Sequence, residues 1–228
     1  MRVTGVDACR RGWVAVSLER TGEAAGFRVE AVRVHQTLAG VLDGDRRDEA
    51  AVVGIDMPLG LLESGWREAD RAARGLLGPR RSSVFAIPPR VVWEQASYQA
   101  AGQRCRELTG QGFSIQAWGL RAKLLEADRY RDSCRHPLYE VHPELAFCVM
   151  AGAPLAHSKH TTDGRELRRE LLSRAGISLP PIPRAPVTDT LDAAAVAWSA
   201  WRIATGRAAV IPDRPQRDDQ GLPISIRY

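Results

Sequence analysis

The chain opens on three runs in which apolar and polar residues alternate. Residues 2–7, RVTGVD, and 13–19, WVAVSLE, flank a Cys-Arg-Arg-Gly turn, and residues 27–35, FRVEAVRVH, offer Phe27, Val29, Ala31 and Val34 for burial. Alternation with period two is a strand signal, and a short turn between two such runs makes a hairpin. Residues 1–35 therefore predict three antiparallel strands. A short helix over 38–42 leads to residues 50–56, AAVVGID, an unbroken apolar run of the kind buried on both faces of a sheet. Pro58 has no amide to donate and biases Met57 toward an extended backbone, so this fourth strand stops at Asp56.

From residue 61 the period changes. WREADRAARGLLG and IQAWGLRAKLLEADRYRD repeat apolar positions at helical spacing and predict a helical insertion over 61–136. A fifth strand, PLYEVH at 137–142, precedes Pro143-Glu144 and the apolar LAFCVM. A charged helix over 164–174, a Pro-rich connector over 179–186 and an Ala/Trp-rich helix over 190–205 follow, the last stopped by Gly206. The polar, Pro-containing tail from Pro212 is expected to lie over the surface with little regular structure.

With 44% hydrophobic and 26% charged residues in 228, the composition is that of a globular chain and excludes disordered and low-complexity scaffolds. A chain of this length holds a full core without staples, so a metal here would serve function. The pattern predicts a single domain over 1–228, with its core in 1–60 and 137–206, the insertion in 61–136 and the tail in 207–228. The net charge is +5, and the insertion alone carries an excess of Lys and Arg equal to it. Nearly all the basic residues are Arg, whose planar fork suits phosphate, which points to a polyanionic partner such as nucleic acid. Cys9, Cys105, Cys134 and Cys148 are scattered, with no Cys-x-x-Cys spacing, and read as reduced and mostly buried. No apolar run approaches the ~18 residues of a membrane span, and the first residues do not read as a secretion signal, so the expectation is a soluble, cytoplasmic protein.

Four acids stand out by placement: Asp7 ending the first strand, Asp56 ending the fourth, and Asp189 and Asp192 opening the last helix. If the first and fourth strands are neighbours, Asp7 and Asp56 meet at one edge, and Asp189 and Asp192, three apart, project from one side of a helical turn. Carboxylates converging from separate elements repel one another unless a cation lies among them, and hard oxygen ligands select Mg²⁺ or Mn²⁺. Each acid also has a structural reading: Asp7 and Asp56 as turn caps, Asp189 as an N-cap with Asp192 in the first turn.

The conjunction resembles the ribonuclease H-like superfamily, and within it the RuvC-type Holliday-junction resolvases. A fuller resemblance, over nearly the whole chain, is to the domain of unknown function 429 family, labelled predicted ribonuclease H-like nucleases. It rests on Gly5-Val6-Asp7 with Gly12-Trp13-Val14, Ile55 to Gly60, Asp70 with Arg74 and Gly78, Arg81 to Phe85, Gln116-Ala117-Trp118, Glu140 to Glu144, Ser158-Lys159 and Asp189 to Trp198. The resemblance implies an α/β, ribonuclease H-like fold: a mixed five-stranded sheet flanked by helices, with a helical insertion after the fourth strand. It also implies a nuclease working by two-metal phosphodiester hydrolysis. Asp7 would bridge two Mg²⁺ or Mn²⁺ ions, Asp56 would complete one site and Asp189 or Asp192 the other. RuvC-like enzymes usually carry Glu on the fourth strand, where this chain has the shorter Asp56. Their dimers make a homodimer an expectation.

Further candidates surround these acids. On a strand, Glu140, His142 and Glu144 share a face and could add ligands, a proton shuttle or a substrate contact, or satisfy local backbone. Arg80-Arg81-Ser82-Ser83 offers guanidinium groups, hydroxyls and turn amides for phosphate. Lys159-His160 lies in a mobile-looking stretch from which a lid could reach substrate. Trp198 and Trp201 suit the core; Trp93 and Trp118 suit base stacking. Two other readings stay open: a non-catalytic nucleic-acid-binding or regulatory module on the same fold, and a hydrolase of small phosphoesters or nucleotides. ATP-dependent phosphoryl transfer lacks its Gly-x-x-x-x-Gly-Lys loop and its second core.

Overall fold

A computed structural model describes residues 1–20, 26–43, 50–131, 136–180 and 186–228; Cys134 and most of the Pro-rich connector lie outside the described residues. The chain divides into two compact units, one of Met1–Met57, Cys134–Ala209 and Arg227–Tyr228, the other of Pro58–Ser133 and Val210–Ile226.

β1 (Arg2–Cys9) and β2 (Gly12–Arg20) form the expected hairpin, in register from Arg2 opposite Glu19 to Cys9 opposite Gly12. Gly12 has φ 135, in the region glycine adopts and other residues avoid, and a Cβ there would overlap the His35 carbonyl. β3 (Phe27–His35) pairs antiparallel with β2. The short helix α1 (Leu38–Leu42) is capped by the Thr37 hydroxyl, which accepts from Gly40 N at 3.2 Å. β4 (Val53–Asp56) runs parallel to β1, from Thr4 opposite Val53 to Asp7 opposite Asp56.

The insertion is helical as predicted: α2 (Glu68–Leu77), a 3₁₀ turn over Gly78–Ser83, α3 (Arg90–Trp93), α4 (Tyr98–Thr109), α5 (Ile115–Gly119) and α6 (Arg121–Tyr130). Its interior corrects one expectation. Trp93 is no stacking platform for bases: it is fully buried, its indole N–H donates to Pro88 O at 3.0 Å, and its ring stacks on Trp118 with centroids 6.3 Å apart. The apolar faces of α3 and α4, through Val92, Ala101 and Cys105, bury these rings together with Phe113. The arginines of this unit are also largely spoken for. Arg67 pairs with Asp70, Arg90 with Asp128, and Arg131 with Asp218, while Arg74 donates to Val84 O at 2.9 Å.

β5 (Leu138–Glu140) lies parallel beside β4, giving one sheet in the order β3-β2-β1-β4-β5. This is the mixed five-stranded sheet that the resemblance implied. α7 (Pro143–Ala151) starts with proline at its first position, where the missing N–H costs nothing. α8 (Thr162–Arg174) is capped by the Thr161 hydroxyl, and α9 (Val187–Ala204) is buried along most of its length. α7, α8 and α9 share one core with the sheet face that carries Val3, Cys9, Val14, Val16 and Leu18, and Trp198 and Trp201 belong to it, as expected. The tail departs from the sequence reading, because β6 (Val210–Arg217) and β7 (Pro223–Arg227) form a two-stranded sheet. Ile224 and Ile226, alternating along β7, are buried, and the Asp218 carboxylate closes the turn by accepting from Gln220 N and Leu222 N. Among the described residues no helix is long and apolar enough to cross a membrane, and Cys9, Cys105 and Cys148 are free thiols.

Candidate active site

Two short sequences repeat one another in the first unit. Gly5-Val6-Asp7 on β1 lies in register with Gly54-Ile55-Asp56 on β4, glycine opposite glycine and aspartate opposite aspartate. Residues two apart on a strand share a face, and neighbouring strands lie about 4.8 Å apart, so the two carboxylates stand side by side at the strand ends. The glycines beneath them admit α9. A Cβ on Gly5 would overlap Ala197 N and Ala193 O, and one on Gly54 would come within 3.1 Å of Val196 O. The helix backbone thus rests directly on β1 and β4, which brings its first turns to the aspartates. Asp192, adjacent to Ala193, is buried, and Asp189 is half-buried. The capping reading of these two acids is not met: Pro186 is the N-cap and no side chain caps the helix.

The electrostatics follow from crowding. Burial, then Asp56 and Asp192, hold the Asp7 carboxyl well above the ordinary carboxylate range, against the opposing pull of Lys159. Asp56 is raised by burial, with His142 and Lys159 pulling it down, and it shares a hydrogen bond with Asp7. A hydrogen bond between two carboxyls requires a proton between them, which the pair shares. Asp189 is raised by burial, while Lys159 lowers it.

Lys159 occupies the middle of this field. Its ammonium lies 2.6 Å from Asp192 Oδ2, and although burial works against its charge, Asp192, Asp56 and Asp7 push its pKa upward. The segment carrying it, for which the sequence left a lid open, is a hydrogen-bonded turn. Thr161 donates to Ser158 O through both its N–H (3.0 Å) and its hydroxyl (2.8 Å). Arg168 of α8, fully buried, donates to His157 O at 3.3 Å and to Gly164 O at 3.0 Å.

The remaining candidates are placed as follows. His142, N-cap of α7, acts on Asp56. Glu140 pairs with Ile55, so it takes the sheet face opposite to Gly54 and Asp56. Glu144 enters α7 instead of continuing β5 and accepts from Arg168 at 2.6 Å, an ion pair buried on both sides. The structure therefore brings together Asp7, Asp56, Asp189, Asp192, His142 and Lys159. Arg80, Arg81, Ser82 and Ser83 sit in the 3₁₀ turn of the second unit. That turn is pinned from α2: Asp70 accepts from Ile87 N at 2.9 Å and Arg74 holds Val84 O. Sequence reasoning missed Arg168 and the two glycines. The repeated Gly-x-Asp was a signal for the glycines, and helical spacing places Arg168 with Gly164, Leu171 and Leu172 on the buried face of α8.

Four carboxylates against one ammonium are, as a donor set, suited to a hard divalent cation. Asp7, Asp56, Asp189 and Asp192 are the residues that would hold it. Among the described residues no three His, Cys, Asp or Glu groups stand close enough together to form a metal-ligand set as they are; Asp192 is turned to Lys159 and Asp56 to Asp7.

The profile of a family described as "Protein of unknown function (DUF429)" matches residues 5–217. No curated protein matches the sequence significantly. Among solved structures, one titled "Thermus thermophilus RuvC structure" is similar at 16% identity and TM-score 0.46, covering 91% of this chain and 98% of that one. Another, "T. thermophilus RuvC in complex with Holliday junction substrate", is similar at 15% identity and TM-score 0.43, covering 91% and 97%.

Proposed function

The chain belongs to the DUF429 family, and from the acidic centre it carries we propose that it is a metal-dependent nuclease, hydrolysing phosphodiester bonds of nucleic acid with Mg²⁺ or Mn²⁺. The observation that carries this reading is the convergence of Asp7, Asp56, Asp189 and Asp192 from three elements on one ammonium. Such a gathering of like charge destabilises a fold and is of use where a cation joins it. A divalent ion held by Asp7, Asp56, Asp189 and Asp192 would supply Lewis acidity toward a phosphoryl oxygen and a water nucleophile at neutral pH.

The chain's own residues do the rest. Asp7 and Asp56, fixed on adjacent strands, would give the ligand set its rigidity, and a cation there would displace the proton the pair shares. α9, seated on Gly5 and Gly54, sets the distance of Asp189 and Asp192 from that pair. Lys159 offers a positive charge to a phosphate oxygen, and His142 stands beside Asp56 as a group able to relay a proton. Arg80, Arg81, Ser82 and Ser83 are the proposed phosphate contacts of the second unit.

A second reading, hydrolysis of a small phosphoester, is favoured by the pairing of Arg67, Arg90 and Arg131 within the insertion, which leaves less of its charge for a long polyanion. Cleavage of single-stranded, duplex and branched DNA and RNA, and of a small aryl phosphodiester, by the full chain with Mn²⁺ tests both. Cleavage lost in Asp7→Asn is expected, and the substrate cleaved separates the two readings. A wild type that cleaves none of them, or an Asp7→Asn variant as fast as wild type, overturns the metal-dependent mechanism.

A further inference from the structure

We propose that Lys159 is the resident second cation of the acidic centre, so that the chain binds one divalent ion where the resemblance to two-metal nucleases implies two; the inference rests on the metal-dependent reading above.

The ammonium already occupies one of the four carboxylates that a pair of ions would share. It is 2.6 Å from Asp192 Oδ2, and its charge acts on Asp7, Asp56 and Asp189 as well. The Lys159 side chain is 34% exposed, and a lysine held by its ion pair alone loses side-chain entropy and yields readily to a competing cation. Here the position is built. The Ser158 carbonyl accepts twice from Thr161, and Gly164 lies so close to that carbonyl that a Cβ would overlap it. Arg168 ties the His157 carbonyl to the first turn of α8, and Glu144 fixes Arg168 from α7 at 2.6 Å. A chain of contacts thus runs from Glu144 through Arg168 to the backbone beside Lys159. Glu144 is a positioning residue for that ammonium, which gives it a part in the centre although it faces Arg168.

A fixed ammonium and a dication on the same carboxylate repel each other, and the dication must also shed water to bind. With Asp192 held by Lys159, Asp7, Asp56 and Asp189 are the carboxylates that would have to turn toward a metal, since as they stand no three described groups form a ligand set. The ammonium then does for a phosphate oxygen what a second ion would do: it supplies a positive charge at a set position.

Titrating the full-length chain with Mn²⁺ by calorimetry, with bound Mn²⁺ counted independently by electron paramagnetic resonance, tests this without any substrate. Wild type is expected to bind one Mn²⁺. Lys159→Met, which keeps the length of the side chain and removes its charge, is expected to bind two, or to bind the first about tenfold more tightly or better. Lys159→Arg keeps the charge and stays at one. Glu144→Gln, verified as folded by its thermal transition, is expected to move partway toward the Lys159→Met result. Two ions bound by wild type, or Lys159→Met indistinguishable from wild type, overturns the proposal and leaves the metal-dependent reading standing. No Mn²⁺ bound by either protein at millimolar concentration overturns both.

Discussion

The buried aspartates of the two units are treated in opposite ways, although the first unit also holds one matched buried pair, Glu144 with Arg168. In the second, each faces a guanidinium: Asp70 faces Arg67, Asp128 faces Arg90, which also holds Asp219 at 3.0 Å, and Asp218 faces Arg131, with Asp70 also accepting from Ile87 N. In the first, Asp7, Asp56, Asp189 and Asp192 have one ammonium among them. The residue type is the same and the burial comparable, so the difference lies in the count of partners. Ion pairs of this kind join elements: Arg131 to Asp218 ties α6 to the β6–β7 turn, and Arg90 to Asp128 ties α3 to α6. An excess of acids over bases does no such work and stores negative charge at a point. The net charge of the chain, +5, hides this, since positive charge that suggested a polyanion-binding surface is partly consumed inside the insertion.

The largest test of that contrast removes a base from a one-to-one pair. Arg131→Met leaves Asp218, 4% exposed, without its guanidinium. Removing one member of a buried pair costs up to about 3–5 kcal/mol, because the other charge stays buried without its counter-charge, and here Asp218 keeps its two backbone amide donors. Urea denaturation of wild type and variant measures it. A variant within about 1 kcal/mol of wild type would mean that the pairs in the second unit are no more structural than the acids of the first.

Removing an acid from the first unit is expected to act with the opposite sign. Asp7→Asn takes away a group whose charged form is opposed by burial, Asp56 and Asp192, and should stabilise the metal-free protein by about 1–2 kcal/mol while abolishing Mn²⁺ binding. The pH dependence follows from the direction of the shift. Asp7 has a higher pKa folded than unfolded, so its contribution is fully present below the unfolded carboxylate range and is lost as pH rises through the folded value. Metal-free wild type should therefore lose thermal stability as pH rises above the ordinary carboxylate range, and Asp7→Asn should lose less. Calorimetric scans with chelator as pH is raised check it; parallel pH profiles would show that Asp7 ionises freely and that the centre stores no charge.

How much of this was legible in the sequence depends on how local its cause is. The β1–β2 hairpin, β3 and β4 follow from alternation and from Pro58, all within a few residues of the element they define. The four aspartates were found because strand ends and a helix start are also local. Glu140 and Glu144 were read as one face of a continuing strand, but Pro143 starts α7, which turns Glu144 toward Arg168, and pairing with Ile55 fixes the face of Glu140. Lys159 looked mobile because what fixes its turn, Arg168 and Glu144, comes from other elements. Trp93 sits among basic residues in the sequence and among aromatic ones in space. Pro212 and Pro215 disguised β6, whose partner strand shows its alternation only through Ile224 and Ile226.

The smallest effect belongs to a pair that is matched one to one but lies in water. Arg71 and Glu68 are 3.1 Å apart on the surface of α2, with 69% and 43% of their side chains exposed. Charge there is screened by solvent and salt, and holding two long side chains together opposes the attraction, so Arg71→Ala should cost about 0.2–0.5 kcal/mol. The same urea measurement at low and at molar salt separates this case from Arg131: the Arg71 effect should vanish with salt, while the Arg131 effect, between groups that salt does not reach, should persist. If both faded alike, pairing and not burial would be what distinguishes the acids of the second unit, and the acidic centre of the first would stand apart for its missing partners alone.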